Sequence, residues 1–189
     1  MASLTILIAH LHTRVQGLYR LLDTLRPQLT DRVQVCIDAD HGQTPIGEKR
    51  NRMIRGATGD FVVFIDDDDE IPSDYVARIL AAIDRDPTVD CLASEGWVLR
   101  WSPQGIQGQR YIISLACRGW HETNGIYYRT PNHITPIARR HAQAVPFPPI
   151  RHAEDAAWSL ALRPRLEREG RVRGALYYYC VGEWPARIR

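Results

Sequence analysis

Lysine is almost missing from this sequence: of 24 basic residues only Lys49 is a lysine, and the rest are arginines. No apolar run approaches the roughly 20 residues that a membrane-spanning helix needs. The opening "MASLTILIAH" has an apolar run too short for a signal peptide and no positive charge before it. It reads as a first strand, and the protein is expected in the cytoplasm. Cys36, Cys91, Cys117 and Cys180 form no C-x-x-C pair, so reduced thiols are expected rather than a disulfide scaffold or a zinc site. G-x-G-x-x-G is absent, and so is G-x-x-x-x-G-K-[ST], because Lys49 is followed by Arg50. Dinucleotide and P-loop chemistry are thereby set aside. The seven histidines show no zinc-like spacing, and none lies beyond His152. There is no internal repeat, low-complexity tract or convincing linker.

What is present suits one globular domain with a sizeable core: 189 residues, 44% hydrophobic and 24% charged. The net charge of +2 is unevenly spread. Residues 1–100 hold 11 Lys/Arg against 16 Asp/Glu, and residues 101–189 hold 13 against 6. That asymmetry points to a cation site in the first half and an anionic partner near the second.

The first half reads strand, helix, strand, helix, strand, helix. "LTILIA" (4–9), "VQVCID" (33–38) and "FVVFI" (61–65) are continuous apolar strands. Leu18, Leu21, Leu22, Leu25 and Leu29 recur at helical spacing, with Pro27 marking the helix end, and Ile46, Arg50, Met53, Ile54 and Ala57 share a second helical face. Ser73 is the expected N-cap of a third helix running to about Arg85. Strands apolar throughout imply a sheet covered on both faces, hence an α/β, Rossmann-like, mostly parallel arrangement flanked by helices. After residue 87 strand-like pieces (89–93, 97–101, 110–117, 126–129, 134–138) are joined by Gly, Pro and Asn. They form an irregular second half that ends in a helix over 153–163 and a strand over 172–180. The whole chain, 1–189, is expected to be a single domain with halves of about 1–87 and 88–189.

Ligands of open α/β sheets sit beyond the carboxyl ends of the strands. Five acids, Asp66 to Glu70, follow the third strand there. Acids ahead of a helix favour its dipole, which accounts for Asp69 or Glu70. It does not account for Asp66 and Asp68 at the mouth of a buried strand, where repulsion and desolvation both oppose ionisation. A hard cation, Mn²⁺ or Mg²⁺, held by Asp66 and Asp68 together with phosphate oxygens removes both costs. A haloacid-dehalogenase-type phosphatase also carries D-x-D after a strand, but wants Thr or Val two residues beyond, where this chain has Glu70.

The segment "GEKRNRMIRGATGDFVVFIDDDDEIPSDYV" closely resembles the core of family 2 glycosyltransferases of GT-A fold. The ordered set is "LTILIA", Asp38, Arg50-Asn51, Gly59-Asp60, "FVVFI", Asp66-x-Asp68-Asp69 and Pro72. A second landmark is Glu154-Asp155 at the start of the late helix. The resemblance implies transfer of one sugar from a nucleotide diphosphate sugar, UDP-linked by preference, to an acceptor hydroxyl. By the same resemblance Asp155 is the general base, expected to point inward with Trp158 and Leu162, and the transfer inverts the anomeric centre. Asp38 or Asp40 would meet the base. Arg50 and Asn51 would lie near base or phosphates, Asp66 and Asp67 near ribose or metal, and Asp68 would be the principal metal ligand. Relatives place a metal-binding His after the late helix, and this chain has none there.

Other residues are read more plainly. His10 and His12 are expected as ordinary loop histidines, and Trp97, Trp101 and Trp120 as packing residues. Arg163, Arg165, Arg168, Arg171 and Arg173, with Arg139, Arg140 and Arg151, form either a solvated surface or the face for a polyanionic acceptor, nucleic acid or acidic glycan. Two other functions compete. A nucleotidyltransferase would want cations around a triphosphate early in the chain, where the first loop offers only Arg14. A non-catalytic anion- or nucleic-acid-binding module leaves both acidic pairs unexplained.

Overall fold

A computed structural model describes residues 1–150 and 152–182. Its spine is a nine-stranded mixed sheet flanked by helices. The first strands are β1 (Leu4–Leu11), β2 (Val33–Asp40) and β3 (Phe61–Phe64), separated by helices α1 (Val15–Leu25) and α2 (Ile46–Gly56). β1 pairs in parallel with both β2 and β3. Helix α3 (Tyr75–Arg85) follows, then β4 (Cys91–Ser102), β5 (Gly105–Ile113), β6 (His121–Thr123), β7 (Ile126–Arg129) and β8 (Ile137–Ala138). Helices α4 (Arg139–Ala144) and α5 (Glu154–Leu162) and strand β9 (Glu169–Val181) complete the described chain. The order is β2-β1-β3-β8-β4-β5-β7-β6, with β9 parallel to β4.

Burial explains the layering. Leu4, Ile6 and Ile8 point to one face of the sheet, where α1 and α3 supply Leu18, Leu21, Leu25, Val76, Ile79 and Ile83. Leu7, Val62 and Phe64 point to the other, against Met53, Ile54, Phe147 and Trp158. β2 departs from expectation. It is the edge strand and only half-buried, so Cys36 lies at a partly covered margin rather than in the core.

The third helix begins at Tyr75, so its cap position falls one residue past the expected Ser73. Asp74 occupies the N-cap position and no side chain there caps the helix. Gln28 replaces Ser73 in this role: its Oε1 accepts from the Val76 amide at 3.0 Å, and its Nε2 donates to the Pro72 carbonyl. An orphan amide at a helix start is thus satisfied from another element. The pieces expected over 89–93 and 97–101 are one strand, β4, whose pairing with β9 shifts register on both sides of Glu95. That bulge hides the polar stretch between them.

β9 carries the sheet back to the acidic run. Glu70 and Tyr178 exchange both backbone hydrogen bonds, 3.1 and 2.9 Å, in an isolated antiparallel bridge. The loop after β3 is therefore held between β1 and β9. Trp97 and Trp120, expected as packing residues, are partly exposed. No described helix is long and apolar enough to cross a membrane.

Candidate active site

Beyond the carboxyl ends of β1, β2 and β3 opens a cleft of about 520 Å³, within the size range of small-molecule sites. Arg14, Asp40, Thr44, Lys49, Arg50, Asp66, Asp67, Asp68, His152 and Tyr179 are among its lining residues. A second hollow of about 530 Å³ lies at the opposite pole, where Arg139 and Arg140 contribute. Both arginines are already committed there, to the Gly59 carbonyl and to Asp90.

The four consecutive aspartates fan out, each with a different fate. Asp67 is buried and accepts from His10 Nδ1 at 2.7 Å, the Leu11 amide at 2.9 Å and Arg14 Nη1 at 3.3 Å. It pins the loop to the end of β1, and His10 belongs to that pin rather than to an open loop. Asp69 is buried too, accepting from the Tyr177 hydroxyl at 2.6 Å and the Cys180 amide at 2.7 Å. Burial, then the neighbouring Asp66, pushes the Asp69 carboxyl well above the usual range. The same Tyr177 oxygen accepts the Asp66 amide at 3.0 Å, so β9 fixes two positions of the run at once.

Asp66 turns toward the second half. Its Oδ1 lies 3.1 Å from Arg50 Nη2 and its Oδ2 lies 3.2 Å from His133 Nε2. Burial opposes ionisation here, but contact with His133 and Arg50 outweighs it and holds Asp66 well below the usual carboxylate range. Asp68 alone remains largely uncommitted. Its side chain is 42% exposed and touches the partly exposed Arg14 at 2.8 Å. Burial raises its pKa, and the like charges of Asp66 and Asp67 add to that against the opposing pull of Arg14. Protein donors therefore meet the charge of Asp66 and Asp67, and Asp68 is left with Arg14 as its ion-pair partner.

Packing makes this arrangement possible. A Cβ on Gly17 of α1 would stand 2.4 Å from the Asp67 carbonyl oxygen, so only glycine lets the helix lie against the acidic loop.

On the β2 side, Asp40 accepts from Lys49 Nζ at 2.9 Å and from the amides of Gly42 and Thr44 at 3.0 and 3.1 Å. Burial again opposes ionisation, and these donors outweigh it, holding Asp40 far below the usual range. The single lysine is buried, and it also donates to the His10 carbonyl at 2.7 Å, tying β1 to β2. Asp38 does not join the cleft lining. It makes two bonds to Arg52, at 2.7 and 2.8 Å, on the outer side of α2. Asn51 does not join it either, since its amide exchanges hydrogen bonds with the Phe147 backbone at 2.9 and 2.8 Å.

The late helix divides its acidic pair. Ala153, in the left-handed region at φ 58°, precedes α5 and turns the chain so that both acids face the end of β3. Glu154 is buried, and its Oε1 accepts from Arg50 Nη1 at 2.7 Å. Asp155 is more open, with its Oδ2 3.6 Å from His133 Nδ1 and its Oδ1 accepting the Ala156 amide at 2.8 Å. Trp158 and Leu162 are buried as the helical spacing predicts.

The arginines of the second half do not gather at this cleft. Arg163 donates to the Leu115 carbonyl, Arg168 reaches Asp86 at 3.4 Å, and Arg140 joins Asp90. Arg139 and Arg140 meet the amino end of β3 and the residue preceding β4, the far pole from Asp68. Arg151 lies outside the described residues. Arg140 and the backbone of Glu167 and Arg168 meet at Asp90, so these arginines lie together away from the cleft.

Among the described residues no three His, Cys, Asp or Glu side chains converge as a ready metal cage. The donor set still suits a hard cation in part. Asp66 and Asp68 flank Asp67 at one strand exit, and burial, with the like charges of Asp66 and Asp67, opposes ionisation of Asp68 despite Arg14. A cation sharing its shell with phosphate oxygens needs only such a partial set.

A sequence model of the family described as "Glycosyl transferase family 2" matches residues 16–142. No curated protein matches the chain. Among solved structures, residues 1–349 of S. aureus TarS in complex with UDP-GlcNAc superpose with a TM-score of 0.65 at 15% identity, over 96% of this chain and 59% of that one. The same TarS fragment with UDP gives 0.63 at 16% identity, over 95% and 60%. This chain therefore spans about three-fifths of the length of the TarS fragments it resembles. The structural likeness covers nearly the whole chain, and the sequence match includes the acidic run and continues well into the second half. On that match, the chain belongs to glycosyl transferase family 2.

Proposed function

We propose that the chain transfers one sugar from a nucleotide diphosphate sugar, UDP-linked by preference, to an acceptor hydroxyl, with inversion and with the help of Mn²⁺ or Mg²⁺. The observation that carries this reading is the run of contacts at the carboxyl end of β3, from Arg50 to Asp66 to His133 and on to Asp155, beside a cleft lined by Asp66 and by the open carboxylate of Asp68. Family membership and the UDP and UDP-GlcNAc complexes of the TarS fragment support the choice of donor.

In this reading Asp40 and the 40–44 loop, held by Lys49, form the base side of the cleft. Arg50 and Asp66 lie toward the ribose and phosphates, and Asp67 supports them from beneath. Asp66 and Asp68 would hold the cation, which when bound supplies positive charge against the departing diphosphate. Arg14 is close enough to Asp68 to share that work on the phosphates. Asp155 Oδ2 takes the proton from the acceptor hydroxyl as that oxygen attacks the anomeric carbon. Because the carboxylate activates the attacker and forms no bond to the sugar, one displacement inverts the centre.

A turnover panel of UDP- and GDP-sugars with Mn²⁺ or with EDTA tests the reading. UDP release from at least one UDP-sugar, present with Mn²⁺ and lost in EDTA, is the expected outcome. Nucleotide binding without release from any sugar donor would instead favour a non-catalytic binding module. Consumption of nucleoside triphosphate with pyrophosphate release would favour a nucleotidyltransferase.

A further inference from the structure

His133 is the residue that neither spacing nor motif singled out, and it stands between the two carboxylate centres. It lies in a buried run, Thr130 to Thr135, that links β7 to β8. A tight turn fixes that run: the Thr135 amide donates to the Asn132 carbonyl at 3.0 Å, and Thr135 Oγ1 accepts the Asn132 amide at 3.1 Å. The His133 carbonyl accepts the Phe64 amide at 2.9 Å, so the residue rides on the end of β3 itself. Backbone bonds thus fix where the residue stands before its ring makes any contact.

From that anchored position the two ring nitrogens face different carboxylates, Nε2 to Asp66 Oδ2 at 3.2 Å and Nδ1 to Asp155 Oδ2 at 3.6 Å. The Nδ1 distance is a few tenths of an ångström too long for a hydrogen bond, and Nδ1 is buried with no other hydrogen-bond partner. An unsatisfied buried nitrogen costs free energy, and a small inward movement of Asp155 would relieve it. Arg50 closes the circuit on the other side by holding Asp66 and Glu154 together. Glu154 and Asp155 are chain neighbours, so α5 is tied to the end of β3 by two routes. The Arg50 route ends on Glu154, and the His133 route ends on Asp155.

We propose that His133 is a positioning residue that sets Asp66 on the donor side and Asp155 on the acceptor side in one register, through different ring nitrogens. This rests on the nucleotide-sugar reading of the cleft. A static arm to Asp66 orients a carboxylate needed for donor binding, and an arm to Asp155 orients the base for the acceptor proton. The two arms therefore govern different kinetic quantities.

Replacement by amides separates them. An Asn amide nitrogen falls near the place of Nδ1, and a Gln amide nitrogen near that of Nε2. His133→Gln is expected to keep donor KM within about threefold and lower kcat about tenfold or more. His133→Asn is expected to keep more of kcat and raise donor KM by a similar factor, and His133→Ala to suffer both losses. A packing role alone would give Gln and Asn the same profile, and that result would overturn the proposal. Unfolding measurements supply a readout that needs no turnover. His133→Ala combined with Asp66→Asn, and separately with Asp155→Asn, should each depart from additivity by about threefold or more in the unfolding equilibrium. Additivity in both cycles would sink the proposal, whereas coupling in a wild-type protein that turns over no sugar donor would sink only the reading of the cleft.

Discussion

Asp68→Ala is expected to lower sugar transfer by about 10²–10³-fold, the scale of losing one electrostatic partner of a developing charge, while the fold survives. The reasons are local. Asp68 is the most open of the four aspartates and makes its side-chain ion pair with Arg14. Its ionisation is opposed by burial and by Asp66 and Asp67, so its removal relieves repulsion and leaves the melting temperature unchanged or slightly higher. The adjacent Asp67→Ala should behave in the opposite way. Asp67 is buried and accepts three bonds, and its loss strands His10 and the Leu11 amide. A destabilisation of about 3 kcal/mol is expected, the lower end for breaking a buried pair. Paired kinetics and denaturant unfolding check both. An Asp68 variant with full activity would refute the assignment, as would an Asp67 variant as stable as wild type.

The second large effect concerns the late helix. Asp155→Asn keeps the shape and the bond from the Ala156 amide but removes the basic oxygen facing His133. The expected result is a fall in kcat of about 10²-fold or more with donor KM preserved. Glu154 is the control. Its carboxylate is buried against Arg50, so Glu154→Gln should act mainly by loosening Arg50, raising donor KM and lowering stability. Pre-steady-state and steady-state kinetics on both variants distinguish the roles. Loss of kcat in Glu154→Gln with a near-normal Asp155→Asn would move the base to Glu154.

The first half of the fold was legible because its strands are continuous apolar runs and its helices repeat apolar residues at helical spacing. β1, β2 and β3 begin where their runs begin. The second half was less legible for identifiable reasons. β6 is His-Glu-Thr at the edge of the sheet, with no buried position to leave a hydrophobic signal. α4 is six residues long and holds one buried residue, Ala142. β4 hides a bulge at Glu95 that reads as a break between two strands.

The site divides in the same way. Asp66 and Asp68 could be found because charge at the end of a buried strand demands an explanation. Asp155 is singled out by the resemblance alone, which places a Glu-Asp pair at the start of a late helix. His133 and Lys49 were missed because their partners lie across space: His133 is 67 positions from Asp66, and Lys49 is 39 from His10. No local spacing encodes such contacts. Asp38 and Asn51 fit the motif in order, yet their side chains turn to Arg52 and Phe147. Order along the chain fixes which backbone positions meet, and the rotamers then depend on neighbours that the motif does not include.

The most direct test of the central claim is a calorimetric titration of UDP into the wild-type protein and into Asp68→Ala, each with Mn²⁺ and with EDTA. The account predicts saturable binding to wild type that weakens at least about tenfold in EDTA, and weak, metal-independent binding to Asp68→Ala. Equal affinity in all four titrations, or no binding of UDP to wild type with Mn²⁺, would contradict it.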